Sequence, residues 1–171
     1  MKRLIALSVI FLFIGCAAAI AQKFGYVDSE YIFKKIPAYK SAQDQLDKLS
    51  KKYQEEIDSK YKAVDDLFKN YQSEKVLLTE QMRQTRENEI VTREREVKEL
   101  QKKYFSPDGA VPKKQEELMK PIQEKVFNAI KDLASDGGYA TIFDVAGNSG
   151  IIYNNPRYDL SDKVLEKMGL N

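Results

Sequence analysis

The chain has no histidine in its 171 residues and only one cysteine, Cys16. The absence of histidine removes the commonest general base and metal ligand. Cys16 lies inside an apolar leader, so the remainder of the chain has no thiol for a disulfide framework, a metal site or nucleophilic catalysis. A thiol-free chain suits an oxidising compartment. Glycine (8) and proline (5) are scarce, and no glycine-rich phosphate loop of the Walker or dinucleotide-binding type occurs. Gly137-Gly138 and Gly147 with Gly150 read as turns. Carboxylate pairs such as Glu55/Glu56 and Asp65/Asp66 sit side by side. On a helix, adjacent residues point in different directions, so these pairs solvate a surface rather than form an acid/base couple. No enzyme and no cofactor is expected from this inventory.

Residues 1–21 differ in kind from the rest of the chain. Lys2 and Arg3 form a basic start, Leu4 to Ile14 an apolar run too short to span a bilayer comfortably, and Ala19-Ile20-Ala21 a small-x-small cleavage site. The segment reads as a signal peptide cleaved after Ala21, with lipoprotein processing at Cys16 as the alternative. Without Lys2 and Arg3 the basic residues fall from 28 to 26 and match the 26 acidic ones. The exported chain would then be neutral, which argues against global attraction to nucleic acid.

What the sequence does contain is charge: 32% of residues are charged and 43% apolar, a combination suited to long solvated helices. Lys23 to Asp28 reads as a short strand. Asp28 or Ser29 can cap a helical turn that buries Tyr31, Ile32, Phe33 and Ile36, and Pro37 suits the first position of the next helix. From about Ala38, Leu46, Leu49, Tyr53, Ile57, Tyr61, Val64, Phe68 and Tyr71 recur at steps of three or four, predicting one apolar helical stripe. Around Ser73 to Thr79 the pattern breaks, Thr79 can cap a returning helix, and this is the expected hairpin tip. The return is densely charged, with Ile90, Val91, Val97 and Leu100 as its aliphatic residues. Ser106 to Pro112 predicts a break, Pro121 a local bend, and Leu118, Ile122, Val126, Ala129 and Leu133 a further stripe. Asp136-Gly137-Gly138 ends that helix. Tyr139 to Val145 and Gly150 to Tyr153 read as a β-hairpin, and Ser161 as the cap of a final helix burying Val164, Leu165 and Met168.

These elements predict an α+β fold: a small antiparallel β body (residues 22–37 and 136–171) with a long protruding α-helical hairpin (38–135). A two-helix hairpin is marginal alone and short strands expose edges, so several copies pooling their strands would solve both problems. At the tip, Val76, Leu77, Leu78 and Met82, flanked by Lys75, Arg83 and Arg86, are the candidate contact residues for a bound chain. The competing reading is that these apolar residues only close the turn.

The order of KFGYVDSEYIFKKIP, a long helical hairpin, and YATIFDVAGNSGIIYNNPRYDLSDKVLEKM resembles the Skp/OmpH family of periplasmic chaperones. The resemblance implies a homotrimer with a barrel-like strand body and three helical arms. It also implies an ATP-independent holdase that keeps unfolded outer-membrane proteins soluble in the periplasm. Peripheral contact with a membrane surface stays open. Two departures stand out: the neutral charge, where the best-studied members are strongly basic, and the break at Ser106 to Pro112, which could serve as a hinge. The rival class is an exported coiled-coil spacer or envelope tether, lipidated at Cys16.

Overall fold

The computed structural model describes residues 22–147 and 150–170. Residues 1–21, with the expected cleavage site and Cys16, lie outside them. The elements, in chain order, are strand β1 (Lys23–Val27), helix α1 (Ser29–Lys35), helix α2 (Pro37–Glu74), a 3-10 turn (Lys75–Leu77), helix α3 (Glu80–Phe105), helix α4 (Ala110–Gly137), strand β2 (Tyr139–Asp144), a second 3-10 turn (Pro156–Tyr158) and helix α5 (Ser161–Lys167). They form two compact units, residues 33–127 and the described residues of 22–32 and 128–170.

In the 33–127 unit, Pro37 opens α2 as its φ preference dictates. At 38 residues α2 is about 57 Å long. It pairs with α3 through a seam of Ile57, Val64 and Tyr71 on one side and Ile90, Val97 and Tyr104 on the other, all buried. On each helix these positions recur every seven residues, the spacing that keeps one narrow face toward an antiparallel partner. The predicted stripe is therefore divided. Tyr61 and Phe68 fall outside the seam and stay exposed, as does Val91. Polar clips close the seam at both ends: the Tyr104 hydroxyl donates to Glu56 at 2.9 Å, and the Tyr71 hydroxyl donates to Glu87. The Tyr53 and Tyr104 rings stack 3.7 Å apart.

The break after α3 is a tight turn. Gly109 N–H donates to the Ser106 carbonyl at 2.7 Å, with Pro107 at the position that favours its fixed φ. A Cβ on Gly109 would sit 2.7 Å from the Tyr104 carbonyl oxygen, so only glycine closes the turn this way. Pro112 and Pro121 both lie within α4, which runs unbroken to Gly137.

In the other unit, β1 and β2 pair in parallel, Phe24 with Thr141 through Val27 with Asp144. This corrects the antiparallel expectation. The strands are not joined by a hairpin but by the whole helical excursion, a crossover ample for parallel pairing. The predicted second strand also fails to form: Gly150 to Tyr153 is irregular and exposed, and Gly147 and Gly150 adopt φ of +69° and +70°. Asn148 and Ser149 lie outside the described residues. On its other edge β1 meets the chain before α5, where Leu160 N–H donates to the Tyr26 carbonyl at 2.8 Å. Gly25 permits this approach, since a Cβ there would lie 2.5 Å from Leu160 Cδ1.

Ser161, expected as the cap of α5, stands inside the helix instead. The Asp159 carboxylate accepts the Ser161 N–H at 2.8 Å and its hydroxyl at 2.7 Å, while the Ser161 oxygen accepts the Asp28 N–H at 2.9 Å. Asp28 itself caps α1, accepting the Tyr31 N–H at 3.0 Å. Ile32, Val164 and Leu165 are buried, whereas Tyr31 is exposed and its hydroxyl donates to Asp162. At the far end of α5, Leu170 N–H reaches the Leu165 carbonyl and Gly169 N–H the Glu166 carbonyl, a Schellman closure on a left-handed Gly169. Asp144 ties the unit together by accepting Ser29 N–H at 3.1 Å and Ala146 N–H at 3.0 Å. Burial pushes its carboxyl up, but hydrogen bonding from the Ser29 side chain, then from the Ala146 and Ser29 N–H groups, outweighs that and holds it below the usual aspartate range.

Candidate functional site

The tip is built by a change of backbone geometry. At Glu74 the α-helix tightens into the 3-10 turn, Leu78 turns extended, and Thr79 restarts the chain as the N-cap of α3, its hydroxyl accepting the Met82 N–H at 3.4 Å. Three consecutive apolar residues cannot all face one seam. Leu78 turns inward and packs on the seam cluster. Val76 and Leu77 remain 85% exposed, and Met82 is half exposed. Leu78 thus closes the turn, and the other three are left in water.

The cations are arranged locally rather than as one cluster. Arg83 Nε donates to the Lys75 carbonyl at 3.0 Å, bracing the turn, and its guanidinium lies 3.8 Å from Glu80. Lys75 Nζ lies 5.5 Å from the centre of the Tyr71 ring. Arg86 pairs with Glu89 at 3.4 Å. The fold therefore brings Lys75, Leu78 and Arg83 together as structural parts of the turn, and leaves Val76, Leu77 and Met82 as its free apolar surface. Hydrogen bonding to Glu87, followed by burial, raises the Tyr71 hydroxyl above the ordinary tyrosine value.

A second apolar surface lies on the strand unit, on residues that the sequence pattern marked only as strand formers and on Tyr158, which it did not mark. Phe24 and Phe143 stack with centroids 6.5 Å apart. With Tyr26, Val145, Ile151, Tyr153 and Tyr158 they line an open groove of about 820 Å³. Phe24, Phe143, Ile151, Ile152, Tyr153 and Tyr158 are all exposed. The alternation in KFGYV and TIFDV was the available signal, since one side of each strand had to be apolar.

Among the described residues no group of His, Cys, Asp or Glu could hold a metal, and no helix is long and apolar enough to cross a membrane. What this surface offers is adsorption of apolar groups beside fixed charges.

A family model described as outer membrane protein (OmpH-like) matches residues 23–168. The fold is similar to the crystal structure of a candidate outer membrane chaperone (OmpH-like) from Caulobacter crescentus CB15, with a TM-score of 0.66 at 11% identity, covering 87% of this chain and 85% of that one. No curated protein sequence matches the chain.

Proposed function

Because the chain belongs to the OmpH-like family of outer membrane proteins, we propose that it is an ATP-independent holdase of the periplasm that keeps unfolded outer-membrane proteins from aggregating. Residues 1–21 would direct export and be removed after Ala21. Three copies would pool their strand units into one body, and their hairpins would surround the client. The spacer alternative depends on lipidation of Cys16, and no observation on the described residues favours it.

The observation that carries the reading is the exposure of Val76 and Leu77, 85% each, on a turn that Leu78 already closes. Two aliphatic side chains left in water beside Lys75 and Arg83 have no structural task there. Each contact would be weak and replaceable, and several hairpins acting together would supply the affinity. Holding the client apart blocks strand-edge pairing, the route by which such chains aggregate.

The test is light scattering of a urea-unfolded outer-membrane β-barrel protein diluted into buffer without nucleotide, run beside a solution mass measurement of the chain. Suppressed scattering by a trimer supports the proposal. Undiminished scattering at several-fold molar excess rejects it.

A further inference from the structure

The two broad faces of the α2–α3 hairpin are chemically unequal. Tyr61 and Phe68 follow the seam residues Ile57 and Val64 by four positions, about 40° around α2. Val91 and Phe105 follow Ile90 and Tyr104 by one position, about 100° around α3. The helices are antiparallel, so both rotations turn toward the same side of the hairpin. Their relative exposures are 41%, 47%, 61% and 36% in that order. On α3, Val91 and Phe105 line one shallow depression of about 560 Å³ with Glu94, Lys98 and Gln101 between them. The opposite side has a depression of about 750 Å³ spanning both helices, where Lys60, Asn70, Glu89, Arg93 and Glu96 surround Leu67 and Leu100, which are half-buried against the seam rather than exposed.

Resting on the holdase reading, we propose that the face carrying Tyr61, Phe68, Val91 and Phe105 is the wall of the hairpin that touches an unfolded apolar polypeptide, and that the Lys60/Arg93 face is turned away from it. The spacing selects this occupant. A docking helix lays a continuous apolar face into a continuous apolar groove. Here the apolar groups on α2 stand two turns, about 10 Å, apart, with charged side chains such as Asp65 between them. A second copy of the hairpin is also a poor fit. The four side chains offer on the order of 350 Å², about half of the roughly 800 Å² that each side of a stable interface buries. A segment with scattered aliphatic and aromatic side chains can use such isolated contacts singly, and it can exchange one for another.

The experiment places a photoreactive phenylalanine in the full chain at Phe68 or Val91, and in separate samples at Lys60 or Arg93. All four positions are exposed, so the fold is preserved. The probe is the urea-unfolded β-barrel protein, added before irradiation. Cross-links to the probe from positions 68 and 91, several-fold above those from 60 and 93, are expected. The double variant Phe68→Ser/Val91→Ser should need several-fold more chain to suppress scattering, whereas Lys60→Ser/Arg93→Ser should not. Equal cross-linking from both faces, or cross-links between hairpins in place of the probe, overturns the assignment while normal suppression of scattering leaves the holdase reading standing. No suppression by the unsubstituted chain removes both.

Discussion

The α2–α3 seam and the face of the β1–β2 pair use similar side chains and end in different states. In the seam, Ile57, Val64 and Tyr71 meet Ile90, Val97 and Tyr104, and the hydroxyls of the two tyrosines find carboxylates, so the surface is consumed within one chain. On the strand unit, Phe24, Phe143, Ile151, Ile152 and Tyr153 remain in water. A helix satisfies its backbone internally and needs one narrow stripe covered. A strand needs partners along both edges and cover over its face. The same apolar composition therefore completes a helical hairpin but leaves a two-stranded sheet unfinished.

The largest expected effect breaks the unfinished side. Phe143→Asp combined with Ile151→Asp, both in the groove, should reduce the solution mass from that of the proposed trimer to that of one chain, with helical circular dichroism retained. A mass unchanged by the pair would show that the groove does not mediate association. Next, Ile57→Ala, at a position 2% exposed, should lower unfolding stability by about 3 kcal/mol in urea titration. Val76→Ser/Leu77→Ser should move it by less than about 0.5 kcal/mol while weakening client holding. Equal destabilisation by both would mean that the tip pair packs as the seam does.

The smallest effect is a pH dependence. The Asp144 carboxyl is held below its ordinary value, so its contribution to stability is fully present above the usual aspartate pKa of about 3.9 and is lost as pH falls through the lowered folded value. Asp144→Asn should flatten that acid limb without altering stability changes at alkaline pH. An unchanged acid limb would assign it to other carboxylates.

Much of the fold was legible from local signals. Pro37, Thr79, Gly138 and Gly169 stand at helix boundaries because each meets a backbone requirement of its own position. Of the seam residues, Ile57, Val64 and Tyr71 stood in the predicted stripe, Ile90 and Val97 were marked only as aliphatic residues of a charged helix, and Tyr104 carried no signal. Strand direction was not legible, because nothing in KFGYV or YATIFD encodes whether its neighbour runs with it or against it. The failure of Gly150 to Tyr153 to form a strand has the same origin: β-rich composition is a preference for a partner, and the single chain supplies none there. At the candidate tip, composition marked the cluster, but it could not distinguish Leu78, turned onto the seam, from Val76 and Leu77, turned away.

Residue order alone dictates a thiol-poor, histidine-free chain with long amphipathic helices, a capped tip and a glycine-proline break. These features arise from side-chain chemistry and from interactions within a few positions. The parallel strand pairing, the choice of apolar residues that enter the seam, and the side of the hairpin that keeps Tyr61, Phe68, Val91 and Phe105 in water emerge only in the folded chain. Those outcomes depend on how antiparallel helices and distant strands meet in space, and residues that share a helical stripe by count can be separated by as little as about 40° of rotation.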